Sequence, residues 1–183
     1  MEIETKIKTD DLQRIRKKLE ALGAKFTHTV KQVDEYYKQK GREMEIQKPG
    51  SFILRIREQP DKSVFCIKVL TKTTGAWIEH ETKIEKPDEL RKILELAGFS
   101  KLFAINKERT YGKLDNFEIC LDKVKELGDY AEFEIIADDA AKGKSIIHEL
   151  FKKLNVSEQD VEHRGYAAII SQNMGVKFEG TNG

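Results

Sequence analysis

Acidic or basic residues two apart recur along this chain. Glu2 and Glu4 precede Lys6; Arg55 and Arg57 flank Ile56; Glu79 and Glu81 flank His80; Lys107 and Arg109 flank Glu108; Glu132 and Glu134 flank Phe133. Side chains two apart on a strand share a face, so each pair projects from one side of a sheet. Planar guanidinium groups match phosphate oxygens bidentately, and lysine adds point charge. Paired carboxylates are the hard oxygen ligands that Mg²⁺ or Mn²⁺ requires. Together the pairs have the chemistry of a site for a polyanion and a divalent metal.

A wetted sheet face gives the same alternation without any site. Two features favour an enclosed lining. Val64, Cys66 and Lys68 share a face, as do Ile105, Lys107, Arg109 and Tyr111, and likewise Tyr130, Glu132 and Glu134. Apolar and thiol side chains mixed with isolated charges suit a lumen better than open water. The signs are also grouped: acid pairs come from the first, fifth and eighth candidate strands, and basic pairs from the third and sixth. Desolvated ions cost several kcal/mol each unless paired, so a lumen built this way becomes sensible when a metal–polyphosphate fills it. Residue types and spacing reach a plausible tunnel and stop there.

The elements that must position these residues read as eight strands, over about 2–8, 25–38, 51–58, 63–71, 76–86, 101–112, 116–123 and 129–137. Pro49-Gly50, Pro60-Asp61, Gly75 and Gly128 supply turns between them. Asp10 or Asp11 caps a helix carrying Leu12, Ile15, Leu19 and Leu22, which Gly23 stops; Pro87 opens a second that ends at Gly98. A third runs from Asp139 to Leu154, and a fourth is expected from Ser157, with Asp160 completing a capping box. The first two helices share a helix-end, glycine, strand-start plan, which suggests two similar strand–helix–strand halves. The expected class is α+β: an eight-stranded antiparallel closed β-barrel, a tunnel, with flanking helices. Residues 1–172 form the domain, and 173–183, with three glycines, read as a frayed tail.

Composition narrows the rest. The 183 residues include 33 Lys plus Arg and 32 Asp plus Glu, a net charge of +1, which argues against a broad cationic nucleic-acid surface. No apolar run approaches the roughly 20 residues that span a bilayer, and the N-terminus has no signal-peptide pattern. Cys66 and Cys120 form no C-x-x-C and read as buried thiols in a reducing cytoplasm. There is no P-loop, zinc or serine-hydrolase constellation. The four histidines lack ligand spacing, and Tyr36, Tyr37 and Trp77 read first as packing residues that could also stack on a base. An exposed barrel edge or helix face could support a homodimer.

Glu2-Ile-Glu4-Thr-Lys6 resembles the E-x-E-x-K signature of the CYTH superfamily, the triphosphate tunnel metalloenzymes. In the same order as in that family follow Gln32-Val-Asp34-Glu-Tyr-Tyr37, Leu54-Arg55-Ile56-Arg57, Lys68, Glu79-His-Glu81, Lys107-Glu-Arg109, Leu121-Asp122-Lys-Val124 and Glu132-Phe-Glu134. The resemblance covers about residues 1–170. It implies a triphosphate substrate (ATP, tripolyphosphate or thiamine triphosphate) and Mg²⁺ or Mn²⁺. By it, Lys6, Arg55, Arg57, Lys68, Lys107 and Arg109 would hold phosphates. Glu2, Glu4, Asp122, Glu132 and Glu134 would carry metal, and Glu79 and Glu81, with Lys6, would serve catalysis. The chain is most similar to the class IV adenylyl cyclase and thiamine triphosphatase-like branch. It departs from that branch at Lys40-Gly-Arg42-Glu-Met44, which lacks an H-P-x-R-D-F-like stretch, and at Trp77, where an arginine is usual. Both departures keep a triphosphate hydrolase open beside the cyclase, and a non-catalytic polyphosphate-binding module is the third reading.

Overall fold

The computed structural model describes residues 2–179. The strands are β1 (Glu2–Thr9), β2 (Lys25–Gln39), β3 (Phe52–Gln59), β4 (Lys62–Leu70), β5 (Ala76–Ile84), β6 (Phe99–Leu114), β7 (Phe117–Val124), β8 (Gly128–Ile136) and the two-residue β9 (Val161–Glu162). The helices are α1 (Leu12–Ala21), α2 (Pro87–Leu96), α3 (Ala140–Leu154) and α4 (Tyr166–Asn173). Strands run β5-β4-β3-β2-β6-β7-β8-β1, all antiparallel, and Glu2↔Trp77 with Ile3↔Ala76 joins β1 back to β5. The sheet is therefore a closed eight-stranded barrel with one extra strand. Exchanging β1–β4 with β5–β8 maps this order onto itself, the topological form of the two similar halves.

Period-two alternation decides which side chains enter the lumen. Ile3, Ile7, Ile119, Leu121, Phe133 and Ile135 point outward. There they meet Leu12, Ile15 and Leu19 of α1 and Ile147, Leu150, Phe151 and Leu154 of α3. Burying each such side chain contributes about 1.5–3 kcal/mol, so this outer core fixes the register that turns the charged residues inward. Asp11 caps α1 by accepting from the Arg14 amide at 2.9 Å, and Asp139 caps α3 through the Lys142 amide at 2.7 Å. Helix α2 lies on the outer face of β2 and β3 through Leu94, and Arg91 ties it to Glu35 and Glu58.

The helix expected from Ser157 does not form as one piece. A single 3₁₀ turn, Glu158–Asp160, gives way to β9, which pairs with Lys6 and Ile7 of β1. The Ser157 side chain makes no cap, and α4 starts only after Gly165. The pairing of Val161 and Glu162 with β1 takes these residues out of a helix, and α4 then starts at a close approach: a Cβ on Gly165 would lie 3.0 Å from Oε1 of Glu4 and 3.3 Å from the Trp77 ring. Gly75 is constrained similarly, with φ +77° and a would-be Cβ 2.6 Å from the Glu4 carbonyl, whose amide donates to the Gly75 carbonyl.

The expectation of fraying from residue 173 does not hold through 179. Val176 is buried, and Phe178 bridges to Gln47, with backbone bonds of 2.7 Å on either side of it. The remainder of that tail, residues 180–183, lies outside the described residues, as does Met1. No described helix is long and apolar enough to cross a membrane.

Candidate functional site: a charged lumen closed at one end

The inward faces line a cavity of about 500 Å³. Its side chains fall in layers along the barrel axis. On β6 the inward order is Ile105, Lys107, Arg109, Tyr111; on β3 it is Ile53, Arg55, Arg57, Gln59. An apolar layer thus lies at one end, cations lie in the middle, and neutral polar or aromatic groups stand at the other end. The first turn of α4 covers the apolar end. Its Tyr166 packs with Tyr36, Ile105, Val124 and Tyr130, residues from four strands, so the helix seals that opening. The opposite opening is framed by Gln59 and Lys62, which flank the β3–β4 turn, with Tyr111 and Glu118.

Each buried cation has a carboxylate partner. Arg57 grips Asp34 with two bonds of 2.6 and 2.8 Å, and Lys107 reaches the same carboxylate at 3.1 Å. Burial opposes ionisation of Asp34, but Arg57 and Lys107 overcome it and hold the carboxyl well below its usual range. Arg109 grips Asp122 at 2.8 and 2.6 Å and donates to Glu132 at 2.5 Å. Lys68 and Arg55 both engage Glu79, at 2.7 and 2.9 Å. Burial would raise the pKa of Glu79; Lys68 and Arg55 instead hold it at about 2.

Lys107 behaves differently from the other ammonium groups. Burial and the neighbouring Arg109 charge pull it down to about 8, against the opposing pull of Asp34. Burial also works against the charge on Lys6, but Glu4 and Glu132, at 2.9 and 3.1 Å, more than offset it and raise its pKa. Lys6 and Asp122 are wholly buried and lie behind the lining rather than in it. The Tyr166 ring sits between Lys6 and Lys107, 5.0 and 5.3 Å from their ammonium nitrogens, and its hydroxyl donates to Asp122 at 2.7 Å.

The acidic residues divide into two groups. Glu79, Asp122 and Glu132 are engaged by cations; Glu2, Glu4 and Glu134 present oxygens within 4.8 Å of one another, and Glu4 belongs to both groups because it also accepts from Lys6 at 2.9 Å. Among the described residues neither Glu2 nor Glu134 has an ion-pair partner within 4 Å. Burial, with Glu79, Glu4 and Glu132 nearby, pushes Glu2 up to about 7 despite Lys68; burial, Glu132 and Glu2 push Glu134 well above the usual range. Three convergent carboxylates, of which Glu2 and Glu134 are unpaired among the described residues, suit a hard divalent cation. The expected metal residues Asp122 and Glu132 are placed instead as partners of Arg109 and Lys6. Glu81, the second of the expected catalytic carboxylates, stands at the rim with 57% of its side chain exposed, 3.6 Å from Arg55.

Sequence reasoning assigned no role to Asp34, Glu118, Tyr111 or Tyr166. Asp34 shares its inward face with Gln32 and Tyr36, and its cross-strand partner is Arg57, so alternation plus pairing could have found it. Tyr166 reaches the lumen from a helix that plugs the barrel end, and no periodicity marks that. Of the aromatic residues named from sequence, Tyr37 packs in the core under α2, Tyr36 joins the floor layer, and Trp77 lines the lumen beneath the Lys68 ammonium.

Comparisons with known proteins agree with this arrangement. A Methanocaldococcus jannaschii protein provisionally named an adenylate cyclase is 28% identical over 171 residues, covering 91% of this chain and 96% of its own. A Pyrococcus horikoshii protein of solved structure superposes with a TM-score of 0.80 at 30% identity, over 92% of this chain and 98% of its own. A Hippeastrum protein described as an adenylyl cyclase candidate with dominant triphosphatase activity shares the fold, with a TM-score of 0.67 at 15% identity over 100% and 99% of the two chains. The CYTH domain signature matches residues 1–166, and the chain belongs to the CYTH family of metal-dependent triphosphate tunnel proteins.

Proposed function

We propose that this chain is a divalent-metal-dependent enzyme of the class IV adenylyl cyclase type, converting ATP to cyclic AMP and pyrophosphate. The observation that carries this reading is one lumen in which Arg55, Arg57, Lys68, Lys107 and Arg109 face the convergent carboxylates Glu2, Glu4 and Glu134. These three would hold Mg²⁺ or Mn²⁺, which when bound supplies Lewis-acid neutralisation of phosphate oxygens. The arginines and lysines fix the triphosphate and stabilise charge that grows on the leaving pyrophosphate as the ribose 3′-oxygen attacks the α-phosphorus. Asp34, Glu79 and Asp122 hold those cations in place before substrate arrives. Lys6 stays protonated behind the wall and acts on the charge balance of Glu4 and Glu132 rather than by proton transfer. Glu81, which keeps solvent contact, would accept the proton of the attacking hydroxyl. Free, buried Cys66 and Cys120 suit a reducing cytoplasm.

A second reading, hydrolysis of a triphosphate by water, is favoured by one observation. None of the side chains of 40–44 lines the main cavity, and Trp77 occupies the wall beside the carboxylates. The triphosphate site is then complete while the means of fixing a nucleoside is reduced. The Hippeastrum protein, with the same fold, is described as mainly a triphosphatase.

The test is product analysis. Purified protein is incubated with ATP and then with tripolyphosphate, in Mg²⁺ or Mn²⁺, and products are separated by chromatography. Cyclic AMP plus pyrophosphate supports the cyclase. Orthophosphate without cyclic AMP replaces it with the hydrolase. Tight binding without turnover of either substrate leaves a polyphosphate-binding module.

A further inference from the structure

We infer that Trp77 is a positioning residue of the metal site: its indole keeps the Lys68 ammonium on Glu79 and off Glu2, whose carboxylate stays free for a divalent cation. This rests on Glu2, Glu4 and Glu134 being the metal ligands.

The order of strands puts Trp77 on a boundary. Strand β5 lies between β4, which carries Lys68, and β1, which carries Glu2. Glu2 is directly opposite Trp77. Lys68 is directly opposite Glu79, two residues along β5 from Trp77 on the same inward face, so Lys68 and Trp77 are diagonal neighbours. The ammonium lies over the indole, 5.6 Å from the ring centroid.

Lys68 has a choice of partners. The charges of Glu4, Glu79 and Glu2 all act on it, and its four-carbon stem is flexible. It nevertheless bonds Glu79 at 2.7 Å, lies 3.9 Å from Glu4, and among the described residues makes no ion pair with Glu2. The ring accounts for that choice: its face attracts the ammonium where Glu79 can reach it, and its bulk stands on the side of Glu2.

Packing, not a hydrogen bond, holds the ring. Trp77 is only 8% exposed, and its Nε1 is buried without an acceptor among the described residues. An unsatisfied buried donor is costly, so the indole is placed here for its face and size rather than its N–H. Gly165 makes the place, since a Cβ there would lie 3.3 Å from the ring.

Metal affinity of the full-length protein, read without substrate from the free Mn²⁺ signal in electron paramagnetic resonance, tests this. Trp77→Met keeps an apolar side chain but no ring, and is expected to bind Mn²⁺ about 10-fold more weakly. Trp77→Phe restores a ring face and should come within about 3-fold of the wild type. In a Lys68→Met background the competing ammonium is gone, and Trp77→Met should change affinity by less than about 2-fold. A loss of equal size in both backgrounds overturns the positioning role and leaves the metal site standing. A wild type that binds no Mn²⁺ overturns the metal site and the positioning role with it. If Trp77→Met does not fold, the proton spectrum of the wild type decides. The ε-methylene protons of Lys68, identified by their loss in Lys68→Met, should resonate upfield of ordinary lysine and stay there at saturating Mg²⁺. An ordinary position takes Lys68 off the ring and overturns the role.

Discussion

The Tyr166 hydroxyl donates to Oδ2 of Asp122 at 2.7 Å, and the same oxygen accepts from Nη2 of Arg109 at 2.6 Å. A residue of the plug helix thereby shares an acceptor with a lumen cation. Asp122 is wholly buried, so both donors satisfy an acceptor oxygen that water does not reach. Tyr166→Phe keeps the ring beneath Lys6 and Lys107 and removes only this bond. A hydrogen bond to a charged group contributes about 1.5–3 kcal/mol, and urea denaturation of the variant is expected to show a loss of that size. A change below about 0.5 kcal/mol would mean that water or Arg109 replaces the hydroxyl without cost.

The carboxylates Glu2 and Glu134 predict an unusual pH dependence for the metal-free protein. With its folded pKa near 7 against an ordinary 4.5, Glu2 binds more protons in the folded state across that interval. Stability therefore falls as pH rises from about 4.5 to 7, by on the order of 3 kcal/mol from Glu2 alone, and Glu134 acts in the same direction. Asp34 and Glu79 have lowered pKa values, so their stabilisation is already complete above about pH 5.5 and does not mask the effect. Thermal unfolding in EDTA should show a midpoint that drops between pH 5 and 7.5. Mn²⁺ should raise the midpoint more at pH 7.5 than at pH 5, because proton and metal compete for the same oxygens. A metal-induced rise of equal size at both pH values would remove these carboxylates from the metal site.

The same residues show how far sequence reading could go. Alternation placed Arg55, Arg57, Lys107, Arg109, Glu132 and Glu134 on inward faces correctly, because strand periodicity is local and the outer core enforces it. It could not divide the carboxylates into metal ligands and cation partners. That division depends on which strands are neighbours: Asp122 lies opposite Arg109 across β6 and β7, whereas Glu4 lies opposite Glu134 across β1 and β8. The interruption of the expected fourth helix is likewise hidden, since it arises from the pairing of Val161 and Glu162 with Ile7 and Lys6, far away in sequence. The floor of the lumen was missed for the same reason.

Lys107 supplies a proton-linkage prediction. Its folded pKa, about 8 against an ordinary 10.5, leaves it about half protonated at pH 8. Because the folded state disfavours the charge, stability from this group rises with pH from about 8 to 10.5. A bound phosphate chain reverses the balance by favouring the ammonium form. Calorimetric titration of tripolyphosphate at pH 8, in two buffers of different ionisation enthalpy and at saturating metal, should show uptake of about half a proton per site. Lys107→Met should abolish most of that uptake. Uptake unchanged in the variant would assign the proton to another group.

The metal and phosphate roles can be separated by two substitutions on opposite walls. Glu134→Gln preserves shape and removes one oxygen ligand and its charge. It is expected to lower turnover by about 100-fold or more while the fold persists, because the neutral side chain also relieves crowding with Glu132 and Glu2. Arg57→Ala acts on binding instead. It frees Asp34 from two of its three bonds and leaves a buried carboxylate facing the phosphates, so affinity for tripolyphosphate should fall by about 10- to 100-fold. Arg57→Ala combined with Asp34→Ala removes both partners of the ion pair and should recover part of that affinity. If the double variant binds no better than Arg57→Ala alone, the defect lies in the lost phosphate contact rather than in the unmasked Asp34 charge.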